Sequence, residues 1–203
     1  MTRIVAGTVG GRTLAVPRAG TRPTSERVRE ALFSRLEHLD VLDGARVLDL
    51  YAGSGALGIE AASRGAAHVT LVESARDAAD VCRRNVATLG LAGTVQVVAE
   101  RAERFAERVS SAPWDLVLID PPYDLAEGDL AGVLAGVGPA LSRHGVVVVE
   151  RGSRTAEPTW PAALVRFDRR AYGDTVMWFA ETSEVSEGTG DTGDTGDTEL
   201  TEA

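Results

Sequence analysis

The chain has 203 residues, enough for one domain with attachments, and its 44% apolar and 25% charged content is that of a water-soluble globular protein. No apolar run approaches the ~20 residues of a membrane-crossing helix, and no secretory leader is expected at the N-terminus. The single cysteine, Cys82, excludes an internal disulfide framework, and His38, His68 and His144 are too scattered for a metal site, so a cytoplasmic protein without metal is expected.

The formal net charge of −9 is concentrated at one end. Residues 181–203 carry eight acids and no base, whereas residues 1–35 carry seven arginines against only Glu26 and Glu30. A basic N-terminal face therefore survives inside an acidic average.

In chain order, Arg3–Ala6 and Arg12–Val16 read as two short strands turning through Gly10 and Gly11. A loop from Pro17 to Pro23 carries Arg18 and Arg22. Thr24 or Ser25 caps a helix with Glu26 in its first turn, where the helix dipole favours an acid. Val28, Ala31, Leu32, Leu36 and Leu39 continue that helix at amphipathic spacing to about residue 39. From residue 45 strands and helices alternate. Strands are expected at Arg46–Leu50, His68–Glu73, Val95–Val98, Trp114–Ile119 and Gly145–Glu150. Helices are expected at Gly55–Arg64, residues 78–89, residues 101–110 and residues 129–141. Leu164–Ala171 and Thr175–Ala180 flank Tyr172-Gly173-Asp174 and read as a closing hairpin. The alternation predicts an α/β fold, a parallel sheet with helices on both faces. Residues 183–203, with Gly-Asp-Thr three times from Gly190 to Thr198, lack the apolar content to fold and are expected to be a disordered acidic tail. The expected organisation is an N-terminal hairpin and helix over residues 1–40, a main domain over 41–182 and the tail.

Two stretches carry chemistry. Asp120-Pro121-Pro122-Tyr123 follows the apolar run Leu116–Ile119, which reads as a buried strand. Two prolines fix the direction in which the chain leaves the sheet and donate no hydrogen bonds. The Asp120 carboxylate and the Pro121 carbonyl are then acceptors near one point, beside an aromatic ring, suited to holding a planar amino group. The second stretch runs from Asp49 through Tyr51, Gly53, Ser54 and Gly55 to Gly58, between the first sheet strand and its helix. The glycines allow a tight turn and close approach of a ligand to the helix N-terminus. Their G-x-G-x-x-G spacing also fits a dinucleotide site and leaves a nucleotide-binding oxidoreductase as one reading. Asp49, four residues before Gly53, would repel a pyrophosphate and suits an ammonium or sulfonium group. Glu73, at the end of the second strand, suits two ribose hydroxyls. S-adenosylmethionine carries all of these groups.

Gly53-Ser54-Gly55 after Asp49, together with Asp120-Pro-Pro-Tyr123, resembles the class I methyltransferases that act on exocyclic amines. Arg3-Ile-Val-Ala-Gly7, Gly11-Arg12 and Arg22-Pro-Thr-Ser-Glu-Arg-Val-Arg-Glu-Ala-Leu-Phe33 narrow this to a resemblance to the RsmD family of bacterial 16S rRNA guanine-N2 methyltransferases, over about residues 1–180. The resemblance implies a Rossmann-like fold with a seven-stranded, mostly parallel sheet, a C-terminal β-hairpin and a small N-terminal extension. It implies S-adenosylmethionine as donor, held by Asp49, Tyr51, Gly53, Ser54, Gly55, Glu73, Arg101, Ala102 and Asp120. It also implies 16S rRNA as acceptor, within the small ribosomal subunit or an assembly intermediate, and a monomeric enzyme. Asp120, Pro121, Pro122 and Tyr123 are then the catalytic group, and Arg12, Arg18, Arg22, Thr24, Arg27 and Arg29 contact RNA. Where relatives hold the adenine with Asp or Asn after the third strand, this chain has Arg101; Glu100 or the Ala102 backbone is left for that task. The Asp-Pro-Pro-Tyr motif is shared with methyltransferases of DNA adenine and of protein glutamine, which remain alternatives.

Overall fold

The computed structural model describes residues 2–17, 25–108 and 113–183. Two short strands, β1 (Thr2–Arg3) and β2 (Thr13–Leu14), precede helix α1 (Glu26–His38). The alternating part comprises β3 (Arg46–Leu50), α2 (Ala56–Ser63), β4 (His68–Val72), α3 (Arg76–Thr88), β5 (Val95–Val98), α4 (Ala102–Glu107), β6 (Trp114–Ile119) and α5 (Glu127–Val137). A 3₁₀ turn at Gly138–Ala140 leads into β7 (Leu141–Gly152), followed by the hairpin β8 (Leu164–Tyr172) and β9 (Thr175–Thr182).

The seven main strands form one sheet in the order β5-β4-β3-β6-β7-β9-β8. The first five are parallel, and β9 runs antiparallel between β7 and β8. This is the expected Rossmann-like architecture with its closing C-terminal hairpin. The chain winds outward from β3 to β5, then crosses back to β6 on the other side of β3. Strand order reverses between β3 and β6, the place where open α/β sheets leave a crevice at their carboxyl edge.

Strand alternation sorts the core into two layers. Val47, Val69, Leu71, Leu116, Leu118, Val146 and Val148 face α2, α3 and the N-terminal segment. Leu48, Leu50, Val72, Val117, Ile119, Val147 and Val149 face α4 and α5. Three strands run to the ends that the apolar pattern predicts. The helix expected over residues 129–141 stops at Val137, because Pro139 supplies no N–H to continue the ladder and the chain tightens into the 3₁₀ turn.

The N-terminal hairpin is much shorter than its sequence suggests. Beyond Arg3, the backbone N–H groups of Val5 and Ala6 donate to the Glu60 carboxylate at 2.7 and 3.0 Å, and that of Ala15 donates to Asn85 Oδ1 at 2.9 Å. Donors that would extend the ladder are spent on side chains of the main sheet's helices. The division expected at residue 40 is a change of topology without a change of core: Ile4, Leu14, Leu32, Phe33 and Leu36 pack with Val47 and Ile59.

Glu60 is the centre of this joint. It is fully buried, and besides the two backbone donors it faces Arg29 at 3.4 Å and accepts from Arg64 Nε at 2.8 Å. Arg64 reaches on to Glu30 and Glu37 of α1 at 2.8 and 2.9 Å. Glu60→Ala should destabilise the protein by roughly 3–5 kcal/mol in urea unfolding, since it leaves a buried guanidinium and two amides without their acceptor. A loss below 1 kcal/mol would contradict the joint.

Candidate active site

The first element of the site is the turn after β3. Leu50 is level with Ile119 and Val72 on either side. Tyr51 then takes φ 63°, and Gly53 and Gly55 take φ 57° and 80°, folding the chain back so that α2 begins at Ala56. Gly58 is required by packing: a β-carbon there would lie 2.3 Å from Leu71 Cδ2 and 2.9 Å from Val69 Cγ1. Its absence lets α2 lie directly on β4, with an N-terminus that no side chain caps.

Asp49 sits beneath this turn, 1% exposed, and its Oδ2 accepts from Gly58 N at 2.8 Å. Oδ1 is buried without a hydrogen-bond partner. Burial pushes the carboxyl up to about 7, against the pull of the Gly58 N–H, and the nearby Glu73 adds to the rise. An orphaned, desolvated carboxylate oxygen under a glycine turn fits a ligand that brings a positive charge and N–H donors. Glu73 braces the same turn: its two oxygens accept from Gly53 N at 2.8 Å and Ala75 N at 2.7 Å. Each oxygen keeps a second lone pair for a hydroxyl donor. Ser54 is buried, and its carbonyl accepts from Asn85 Nδ2 at 2.9 Å.

On the α4 side of the turn, Tyr51 donates its hydroxyl to Glu103 Oε1 at 3.0 Å, tying the end of β3 to α4. Arg101 is exposed and turns to Glu103 at 3.2 Å. Glu100 is held by Arg104 and Arg108. Ala102 is buried at the first position of α4, where a backbone N–H has no partner within the helix.

The second element is the exit from β6. Asp120 follows Ile119, so it stands level with Tyr51 on one side and with Glu150 on the other, where Val149 is the partner of Ile119. Asp120, Pro121, Pro122 and Tyr123 line a small pocket together with Glu150, Arg151, Gly152 and Thr155. Tyr123 is 75% exposed, its ring lying against Gly152 and free to present a face. A larger cavity of about 800 Å³ opens at the opposite, amino edge of the strands, among Asp43, Asp115 and His144, and contains none of these residues.

The glycine turn and the Asp-Pro-Pro-Tyr exit are thus adjacent at the switch point of one mostly parallel sheet. The family model described as "Conserved hypothetical protein 95" matches residues 2–181. Ribosomal RNA small subunit methyltransferase D of Escherichia coli is 40% identical over 163 residues, 79% of each chain. The protein of the same name in Haemophilus influenzae is 38% identical over 130 residues, covering 62% of this chain and 66% of its own. A solved hypothetical protein of Thermus thermophilus aligns at TM-score 0.78 and 32% identity, over 90% of this chain and 100% of that one.

The chain belongs to the RsmD family.

It is accordingly an rRNA methyltransferase of Rossmann-like fold. On this RsmD-family frame the expected RNA contacts divide. Arg12 and Arg27 are exposed, and among the described residues Arg12 reaches only the Thr88 carbonyl, at 3.5 Å. Arg18, Arg22 and Thr24 lie outside the described residues. Arg29 needs correction: it is 0% exposed, donates to the Arg3 carbonyl and faces Glu60, so it anchors the fold and does not meet RNA. The helical pattern already gave a reason, since Arg29 shares a face with Leu32, Phe33 and Leu36. Cys82, expected as core, is buried with its thiol pushed up to about 12 by burial, and it donates to the Gly53 carbonyl at 3.2 Å.

Sequence reasoning missed Asn85, which accepts from Ala15 N and donates to the carbonyls of Ala15 and Ser54, pinning the glycine turn to the N-terminal segment. The signal was a polar residue in an apolar helical stripe.

The Asp49 value sets a pH dependence. A folded-state value above the unfolded carboxylate value of about 4 gives stability that is fully present below that pH and lost as pH rises through about 7. Thermal melts of the ligand-free protein should fall more steeply between pH 4 and 7 for the wild type than for Asp49→Asn. Parallel curves would remove the assignment.

Proposed function

We propose that the protein transfers a methyl group from S-adenosylmethionine to the exocyclic N2 of a guanine in 16S rRNA, within the small ribosomal subunit or an assembly intermediate. The observation that carries this reading is the register of β3 with β6, which sets the Asp49 turn and Asp120 side by side at the switch point. The likeness to rRNA small subunit methyltransferase D of E. coli supports the acceptor class.

In this reading the orphaned Asp49 Oδ1 and the turn at Gly53, Ser54 and Gly55 hold the methionine end, and Glu73 accepts from the ribose hydroxyls. The Ala102 N–H serves the adenine, because Glu100 is engaged by two arginines and Arg101 turns outward. When bound, S-adenosylmethionine supplies an electrophilic methyl, its carbon–sulfur bond breaking as the nitrogen–carbon bond forms. Asp120 and the Pro121 carbonyl accept the two N–H bonds of the guanine amine. That draws its lone pair out of conjugation and aims it at the donor. Pro122 fixes the exit of the chain, and Tyr123 stacks on a base turned out of its surroundings. Positioning supplies most of the rate. The proton released from the methylated nitrogen passes to Asp120 or to water.

Arg12 and Arg27 are proposed to contact RNA, as are Arg18, Arg22 and Thr24, which lie outside the described residues. The joint around Glu60 holds the N-terminal segment against the main sheet.

Asp120→Ala should abolish radiolabelled methyl transfer to 16S rRNA while S-adenosylmethionine binding persists in calorimetry. Activity within threefold of wild type would sink the mechanism, and label in DNA or protein fractions would redirect the acceptor. Arg12→Glu and Arg27→Glu should each weaken RNA binding and lower the slope of log affinity against log salt by about 1. An unchanged slope would exclude that residue from the RNA face.

A further inference from the structure

Glu150 stands in the acceptor pocket without a role in the reading above. It belongs to β7, and the register of Val149 with Ile119 puts it directly beside Asp120 on the neighbouring strand. Adjacent strands lie about 4.8 Å apart. Leu118 and Val148 both face the layer beneath the N-terminal segment, so the alternation turns the next even positions, Asp120 and Glu150, to that same side. A β-carbon at Gly152, two positions further on and on the same face, would lie 3.7 Å from the Tyr123 ring. Tyr123 therefore overhangs the face that carries Glu150. A ring stacked on Tyr123 meets two neighbouring carboxylates along one edge. Arg151, turned to the opposite face of β7, pairs with Glu127 at the start of α5 and closes the wall on that side.

Bases with an exocyclic amine differ in what stands next to it. Beside N6 of adenine and N4 of cytosine is a ring nitrogen that accepts. On the Watson–Crick edge the neighbour of guanine N2 is N1–H, which donates. A carboxylate next to the amine holder repels the first two and is satisfied by the third. We infer that Glu150 makes this pocket select guanine, by accepting the N1–H of the base whose N2 amine Asp120 holds. The inference rests on the guanine-N2 reading and names the residue that enforces it. Glu150 acts as a specificity residue: it touches the substrate base and takes no part in bond making.

The test uses small subunits reconstituted with 16S rRNA carrying either guanine or 2-aminopurine at the methylated position. 2-Aminopurine keeps the amine, but its N1 is an acceptor. The wild-type protein should favour guanine by about 10- to 100-fold in kcat/KM, the discrimination of one well-formed base contact. Glu150→Gln should lose about that factor on guanine. On 2-aminopurine it should hold within about threefold of wild type or improve, since its amide can donate to N1. Calorimetric binding of S-adenosylmethionine should be unchanged. Equal losses on both templates, or no change on either, would overturn the inference, because a structural role moves both substrates together. A wild-type protein that leaves guanine N2 unmethylated, as mapped by mass spectrometry of digested 16S rRNA, would remove the reading of function and this inference with it.

Discussion

The parallel pairing of β3 with β6 is the constraint on which the rest depends. β3 is followed in sequence by β4, yet its other edge is taken by a strand more than sixty residues later. That crossover opens the crevice and brings two unrelated turns together at one carboxyl edge. Neither turn is complete alone. The glycine turn offers backbone groups and a buried acid, and the Asp-Pro-Pro-Tyr exit offers acceptors and a ring. A slip of one residue in this pairing would rotate Asp120 to the α4 and α5 side of the sheet and separate it from both Asp49 and Tyr123.

The same edge collects like charges. Asp49, Asp120 and Glu150 occupy neighbouring strands on one face, with Glu73 beyond β4. Such an arrangement disfavours the ligand-free state; at Asp49 burial is the main cause of the raised carboxyl pKa and Glu73 a lesser one. It is suited to a ligand pair rich in N–H donors and positive charge, which is the character of a sulfonium donor facing a guanine edge. The stability given up here is balanced elsewhere by two apolar layers that run uninterrupted through the sheet.

The N-terminal segment is joined to this edge through buried polar groups. Glu60 collects backbone donors from the segment after β1 and faces the Arg29 guanidinium of α1, and Asn85 spans from Ala15 to Ser54. A segment proposed to meet RNA is thus hydrogen-bonded through Asn85 to the turn proposed to hold the donor.

Period and punctuation made most of the fold legible in the sequence. The strands at Arg46–Leu50, Val95–Val98 and Trp114–Ile119, the alternation with helices and the closing hairpin all follow from apolar spacing and Gly-Asp turns. Asp49, Glu73 and Asp120 could be singled out because an acid at the end of an apolar strand serves no packing purpose. Three things required the tertiary structure. The hairpin strands proved short because Glu60 and Asn85, distant in sequence, capture their amides. Arg29 proved buried because its counter-charge sits on another helix, and a charge cluster read along the chain cannot reveal such a partner. Glu150 joined Asp120 only through the register of β6 with β7. Local propensity and hydrophobic period are written in consecutive residues. Which distant residue satisfies a buried charge, and which strand ends come level, is decided by packing.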